Sequence, residues 1–136
     1  MLGVKTYEPD YIDRCRAAVK RHVTAYRALV KAAGDDRAAA KFEPLFFNDL
    51  VLVIDTQFAH RLRGVEGKDG NPVNEVTMLR DSLLQNEGLF TENSTIKYKP
   101  ENSVLGLEYG DRIEISEKQF AKLGKAFYAE IEGRFT

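Results

Sequence analysis

The chain has 136 residues with one cysteine and two histidines, which excludes a disulfide framework and argues against a structural Cys/His zinc site. A formal net charge of -1 supplies no field that would recruit nucleic acid or an anionic membrane. The length favours one domain over residues 1–136, large enough to build a core without staples.

The opening MLGVKTYEPD lacks the apolar core of a signal peptide. The longest apolar run, LVLVI at Leu50–Ile54, is too short to cross a bilayer. The expected location is therefore the cytoplasm, with no membrane partner.

From Tyr11 to about Ala33, Ile12, Cys15, Val19, Val23, Tyr26, Leu29 and Val30 recur at helical spacing. Pro9 and Asp10 sit where a helix start belongs. Arg16, Lys20, Arg27 and Lys31 form a neighbouring stripe. It reads either as a phosphate-binding face or as a solvated flank whose stems cover the core edge, and the missing aromatic interleaving favours the flank. His22 projects into the apolar arc. Gly34 ends this helix, and Ala38–Lys41 supply a possible extra turn.

Pro44 is read as the start of a second helix running to about Val65, with Phe47, Leu50, Val51, Ile54, Phe58, Leu62 and Val65 on one face. Phe46 and Val53 widen that face, so this helix should lie centrally. Asn71-Pro72 signals a third helix, with asparagine as the cap and proline in the first turn. Val73, Val76, Leu79, Leu83 and Leu84 give it an apolar side, and Met78 projects opposite them.

Between residues 89 and 115 the helical period disappears. Short runs TIKY, SVLGL and RIEI, separated by turn residues, predict two or three short antiparallel strands. Ser116 with Gln119 makes a capping box for a last helix, whose buried face holds Phe120, Leu123, Phe127, Ile131 and Phe135. The expected fold is mainly α: about four helices in a bundle, with a short antiparallel β excursion between the third and fourth.

The connection HRLRGVEGKDGNPVNEV, from His60 to Val76, is the densest mixture of charge, amide and glycine in the chain. Together with the downstream YKPENSVLGLEYGD it resembles small uncharacterised bacterial proteins carrying similar runs, over roughly Phe42 to Phe135. The resemblance implies a bacterial source and one shared domain, with no activity attached.

Three readings of the connection compete. In the structural one, glycines supply unusual backbone angles between two buried helices, and polar side chains satisfy exposed helix ends. In the second it binds a ligand, either an anion at a helix N-terminus beside Lys68 or a divalent cation held by Glu66, Asp69, Asn71 and Asn74. Val73 stands where a calcium loop would need another oxygen, so no metal is assigned. In the third, His60 shares a helical face with Asp49, Thr56 and Arg63, close to Glu66, and works as a general base or acid. No recognised catalytic motif accompanies it, and the reading leans away from an enzyme.

Arg61 and Arg80 both point toward the core or its edge. Each needs a carboxylate, and Asp55, Glu66 and Glu75 are nearest. They form either an ion-pair network fixing helix register or a polar pocket for an acidic ligand.

The candidate ligand-binding residues are thus His60, Arg61, Arg63, Glu66, Lys68, Asn74, Glu75 and Arg80, with no cofactor. The leading functional expectation is a small binding or assembly module, self-associating as a homodimer through Met78 with Tyr128 and Ala121. The alternative is a small-molecule-binding protein or enzyme with a pocket around His60, Arg61 and Arg80, taking a small anionic ligand. Nucleic acid is not expected as a partner.

Overall fold

The computed structural model describes residues 3–34 and 36–136. Its described residues form five α-helices: α1 (Pro9–Ala33), α2 (Asp36–Gln57), α3 (Arg63–Glu66), α4 (Pro72–Gln85) and α5 (Glu117–Phe135). One 3-10 turn, Pro100–Asn102, interrupts the long segment between α4 and α5. The four long helices match the bundle read from the periodicity, and α3 is a single turn. Among the described residues, no helix is long and apolar enough to cross a membrane.

The second helix differs from its predicted span at both ends. It begins at Asp36, so Pro44 lies inside it, and it ends at Gln57 rather than near Val65. An internal proline removes one backbone donor and is ordinarily disruptive. Here the turns around it are anchored, because Phe42 and Phe46 stack on Tyr26 of α1. At the other end, Phe58 and Arg61 bend the chain into tight turns. Val4 then pairs with the bend: its N–H donates to His60 O (2.7 Å) and its carbonyl accepts from Leu62 N (2.8 Å). That one-residue parallel bridge pins the N-terminal segment across the connection.

The core is one cluster of apolar side chains from all four long helices, with Phe47, Phe58, Phe127 and Ile131 fully buried. Helix α2 lies centrally, packed on α1, α4 and α5, while α4 is the more completely enclosed. Its residues Val73 to Leu79 are all buried, including Asn74, Glu75 and Thr77. A helix buried all round must find partners for every polar group it carries. One side of α4 packs on α2 and α5; the segment 86–115 wraps the other.

That wrap is not a sheet. The predicted β excursion over 89–115 contains no strand, only an isolated antiparallel bridge between Leu89 and Arg112. Its backbone groups bond mainly to turns and side chains. The carboxylate of Glu75 accepts from Val104 N (2.8 Å) and Leu105 N (2.9 Å), and Ser82 Oγ accepts from Thr91 N (3.0 Å). Apart from the short pairing of residues 88–90 with 110–113, the segment clasps α4, and so Met78, expected on the surface, is 1% exposed. Leu84 and Leu29, expected in the core, lie outside it. His22 is exposed as well, with its ring Nδ1 2.7 Å from Ala18 O one turn back.

Two helix starts formed as the sequence predicted. Asn71 Oδ1 accepts from Val73 N (2.8 Å) and Asn74 N (3.1 Å). Ser116 Oγ accepts from Gln119 N while Gln119 Oε1 accepts from Ser116 N, completing the capping box.

A candidate anion cleft over a buried ion-pair network

The site begins with Arg61, which the bend after α2 turns inward until its side chain is 0% exposed. A buried guanidinium is tolerable only when all five N–H groups are satisfied. Its Nε donates to Glu66 Oε1 (2.8 Å), and Nη1 donates to the carbonyls of Phe58 (3.1 Å) and Asp55 (3.3 Å). Its Nη2 donates to Asp55 Oδ1 (2.8 Å) and Thr77 Oγ1 (2.7 Å). Helix α2, the bend, α3 and α4 are thereby tied to one side chain.

Glu66 is the second hub. Its Oε1 accepts from Arg61 and from Arg63 Nη1 (2.6 Å), and its Oε2 accepts from Asn74 Nδ2 (2.8 Å) and Thr77 Oγ1 (3.0 Å). Burial alone would raise its pKa. The charge and hydrogen bond of Arg61, with Asn74 and Arg63, outweigh burial and hold it below the usual carboxylate range.

The loop from Gly67 to Gly70 brings the wrapping segment onto this network. Gly70 has φ +88°, and a Cβ there would sit 2.4 Å from Lys97 O. Only glycine permits that approach, which the bond from Lys97 N to Lys68 O (2.8 Å) fixes. Residues Asn93, Thr95 and Ile96 consequently lie opposite Arg63, Lys68 and Arg80 across a cleft of about 250 Å³.

Three cations and two carboxylates, Glu66 and Asp81, line the cleft. Arg80 Nη1 reaches Asp55 Oδ2 (3.2 Å), and its Nε and Nη2 bond Asp81 Oδ1. Burial opposes the charge of Arg80, but Asp81 and Asp55 more than compensate and keep its pKa above the ordinary value. Among the described residues Lys68 has no ion-pair partner.

The candidate residues therefore separate into three groups. Arg63, Glu66, Lys68 and Arg80 meet at the cleft. Arg61 and Asn74 lie behind it as buried support rather than as lining. His60 and Glu75 do not belong to it. His60 is exposed and, among the described residues, its ring has no hydrogen-bond partner. Its Asp49–Thr56–Arg63 face does not exist, because α2 ends three residues before it. Glu75 pairs with neither arginine and faces the wrapping segment, where burial raises its pKa and two backbone N–H groups only partly offset this.

The divalent-cation set does not converge. Asn71 Nδ2 donates to Asp69 Oδ1 (2.7 Å) and Asn74 Oδ1 (3.2 Å), and Glu66 is occupied by arginines. Among the described residues no group of three metal-ligating side chains is placed to hold an ion. Asp81, Asn93 and Thr95 were missed by the sequence reading. Asp81 stands on α4, while Asn93 and Thr95, about 30 positions from Arg63, reach it only through the tertiary path of the wrap. No family model matches the chain, and no curated protein or solved structure matches it either.

Proposed function

We propose that this chain is a small binding module that takes a compact anion, a carboxylate or phosphate group, into the cleft beside Arg63, Lys68 and Arg80. The supporting observation is the internal compensation of the network. Arg61, Arg63 and Arg80 match Asp55, Glu66 and Asp81 in number, so Lys68, which has no ion-pair partner among the described residues, is a surplus cation at the cleft. An arginine fork suits the planar or tetrahedral oxygens of such anions. The volume lies at or below the small end of ligand pockets, roughly 300–1,000 Å³, which favours phosphate or a di- or tricarboxylate over a nucleotide. The reading assigns no catalytic residue. It carries with it the cytoplasmic location and bacterial source expected from the sequence.

Thermal denaturation at constant ionic strength tests it. Phosphate or citrate should raise the midpoint where chloride does not, and Arg63→Met should remove the rise. No rise with any anion contradicts the proposal.

Self-association is a second reading, no longer through the buried Met78. It rests on the outer face of α2, where Leu45 is 65% and Val53 37% exposed. Light scattering should then report a dimer that Leu45→Glu dissociates; a monomer at high concentration removes this reading.

A further inference from the structure

The basic stripe on α1 borders a second hollow, distinct from the cleft. Residues 16, 19, 20, 23, 24 and 27 of α1 face residues 117, 120, 121, 124, 125 and 128 of α5 across a groove of about 440 Å³. The two sets share one spacing, three turns of a single helical stripe. Arg27 forms an ion pair with Glu117 at one end, and at the other the Arg16 guanidinium lies 5.4 Å from the centroid of the Tyr128 ring. The helices are therefore antiparallel, with Lys20 level with Gly124 and Lys125.

The floor is apolar, made by Val19, Val23, Phe120 and the ring of Tyr128. Gly124 leaves a gap in it: a Cβ there would meet nothing nearer than Phe120 Cε2, at 3.8 Å. Both arginines already have acidic partners on α5, Glu132 and Glu117. Among the described residues neither Lys20 nor Lys125 has one. Two uncompensated ammonium groups thus stand beside a gap in an apolar trough. From their level to the Arg27–Glu117 pair the trough runs seven residues of helix, about 10 Å at 1.5 Å per residue.

We propose that this groove binds a free single-chain alkyl carboxylate, with the carboxylate between Lys20 and Lys125 and the chain along Val23 and Phe120 toward Arg27. A linear chain fits a trough that follows two antiparallel helices for about 10 Å, and the two lysines complement its head. The site is independent of the Arg63–Lys68–Arg80 cleft.

Calorimetric titration of the full chain with octanoate tests this. One equivalent should bind, and the double variant Lys20→Glu, Lys125→Glu should weaken binding at least about tenfold, while Lys68→Glu leaves it unchanged. Gly124→Leu should also abolish binding by filling the gap; the lysine variants, on exposed positions, keep the test valid if this one does not fold. Acetate binding as tightly as octanoate would overturn the role of the floor, and octan-1-ol binding as tightly would overturn the role of the lysines. Absence of octanoate binding, or its loss in Lys68→Glu alone, overturns the proposal. So does retention on anionic phospholipid vesicles without binding of monomeric octanoate.

Discussion

Arg61 Nε and Glu66 Oε1 meet at 2.8 Å with both side chains almost wholly withdrawn from water, five residues apart across the bend that joins α2 to α3. Their contact converts a glycine-rich connection into a rigid one. Removing one partner of such a pair leaves a buried charge uncompensated, which costs more than the pair itself contributes.

Arg61→Ala should therefore cost about 3–5 kcal/mol, since both Glu66 and Asp55 lose their main buried partner. Arg80 is different: its side chain is 23% exposed and Asp55 keeps Arg61 when it is removed. Arg80→Ala should cost about 1 kcal/mol, the upper end for a pair that water still reaches. Urea denaturation of the two variants checks the ordering. Equal effects would mean that Arg61 is not the hub.

The cap of α4 gives a second prediction. Asn71 accepts from two backbone N–H groups, and its Nδ2 donates to Glu66 O (2.8 Å). Asn71→Ala should lower stability by about 0.5–2 kcal/mol with helix content retained. An unchanged denaturant midpoint would remove the cap from the account.

Much of this was legible because it is local. The Asn71-Pro72 start, the Ser116–Gln119 box and the four apolar stripes each need only neighbouring residues to be read. The arginines were legible for a related reason: Arg61 and Arg80 fall on apolar arcs and must find carboxylates. What failed depended on distance. Pro44 lies within a helix whose flanking turns are anchored by the stacking of Phe42 and Phe46 on Tyr26. Residues 89–115 alternate as strands do, yet Glu75 and Ser82 of α4 take the N–H groups of Val104, Leu105 and Thr91, and the pairing within the segment stops at one bridge. That covering is also what buries Met78, whose helical face looked free when the helix was considered alone, and what takes Glu75 away from the arginines.

Glu75 provides a pH prediction. Burial raises its pKa above 4.5 and the N–H groups of Val104 and Leu105 only partly oppose this. The folded chain thus holds this proton more tightly than the unfolded chain does. The stability contributed is fully present below about pH 4.5 and is lost as pH rises through the folded value. Glu66, with its pKa lowered, acts in the opposite sense: its contribution is present above 4.5 and is lost as pH falls through its folded value. Urea midpoints across a pH series should show Glu75→Gln losing less stability than the parent as pH rises above 4.5. Parallel curves for the two proteins would show that Glu75 titrates alike in both states.

The central claim is that the buried network presents Arg63, Lys68 and Arg80 to an anion. Lys68 is the cleanest handle, being exposed and without an ion-pair partner among the described residues, so its replacement leaves the network intact. The most direct measurement is a calorimetric titration of citrate into the parent chain and into Lys68→Glu at one ionic strength. The account predicts one saturable site in the parent and affinity at least about tenfold weaker in the variant, with unchanged thermal stability in the absence of citrate. Equal affinity in the two proteins, or no binding in the parent, would contradict it.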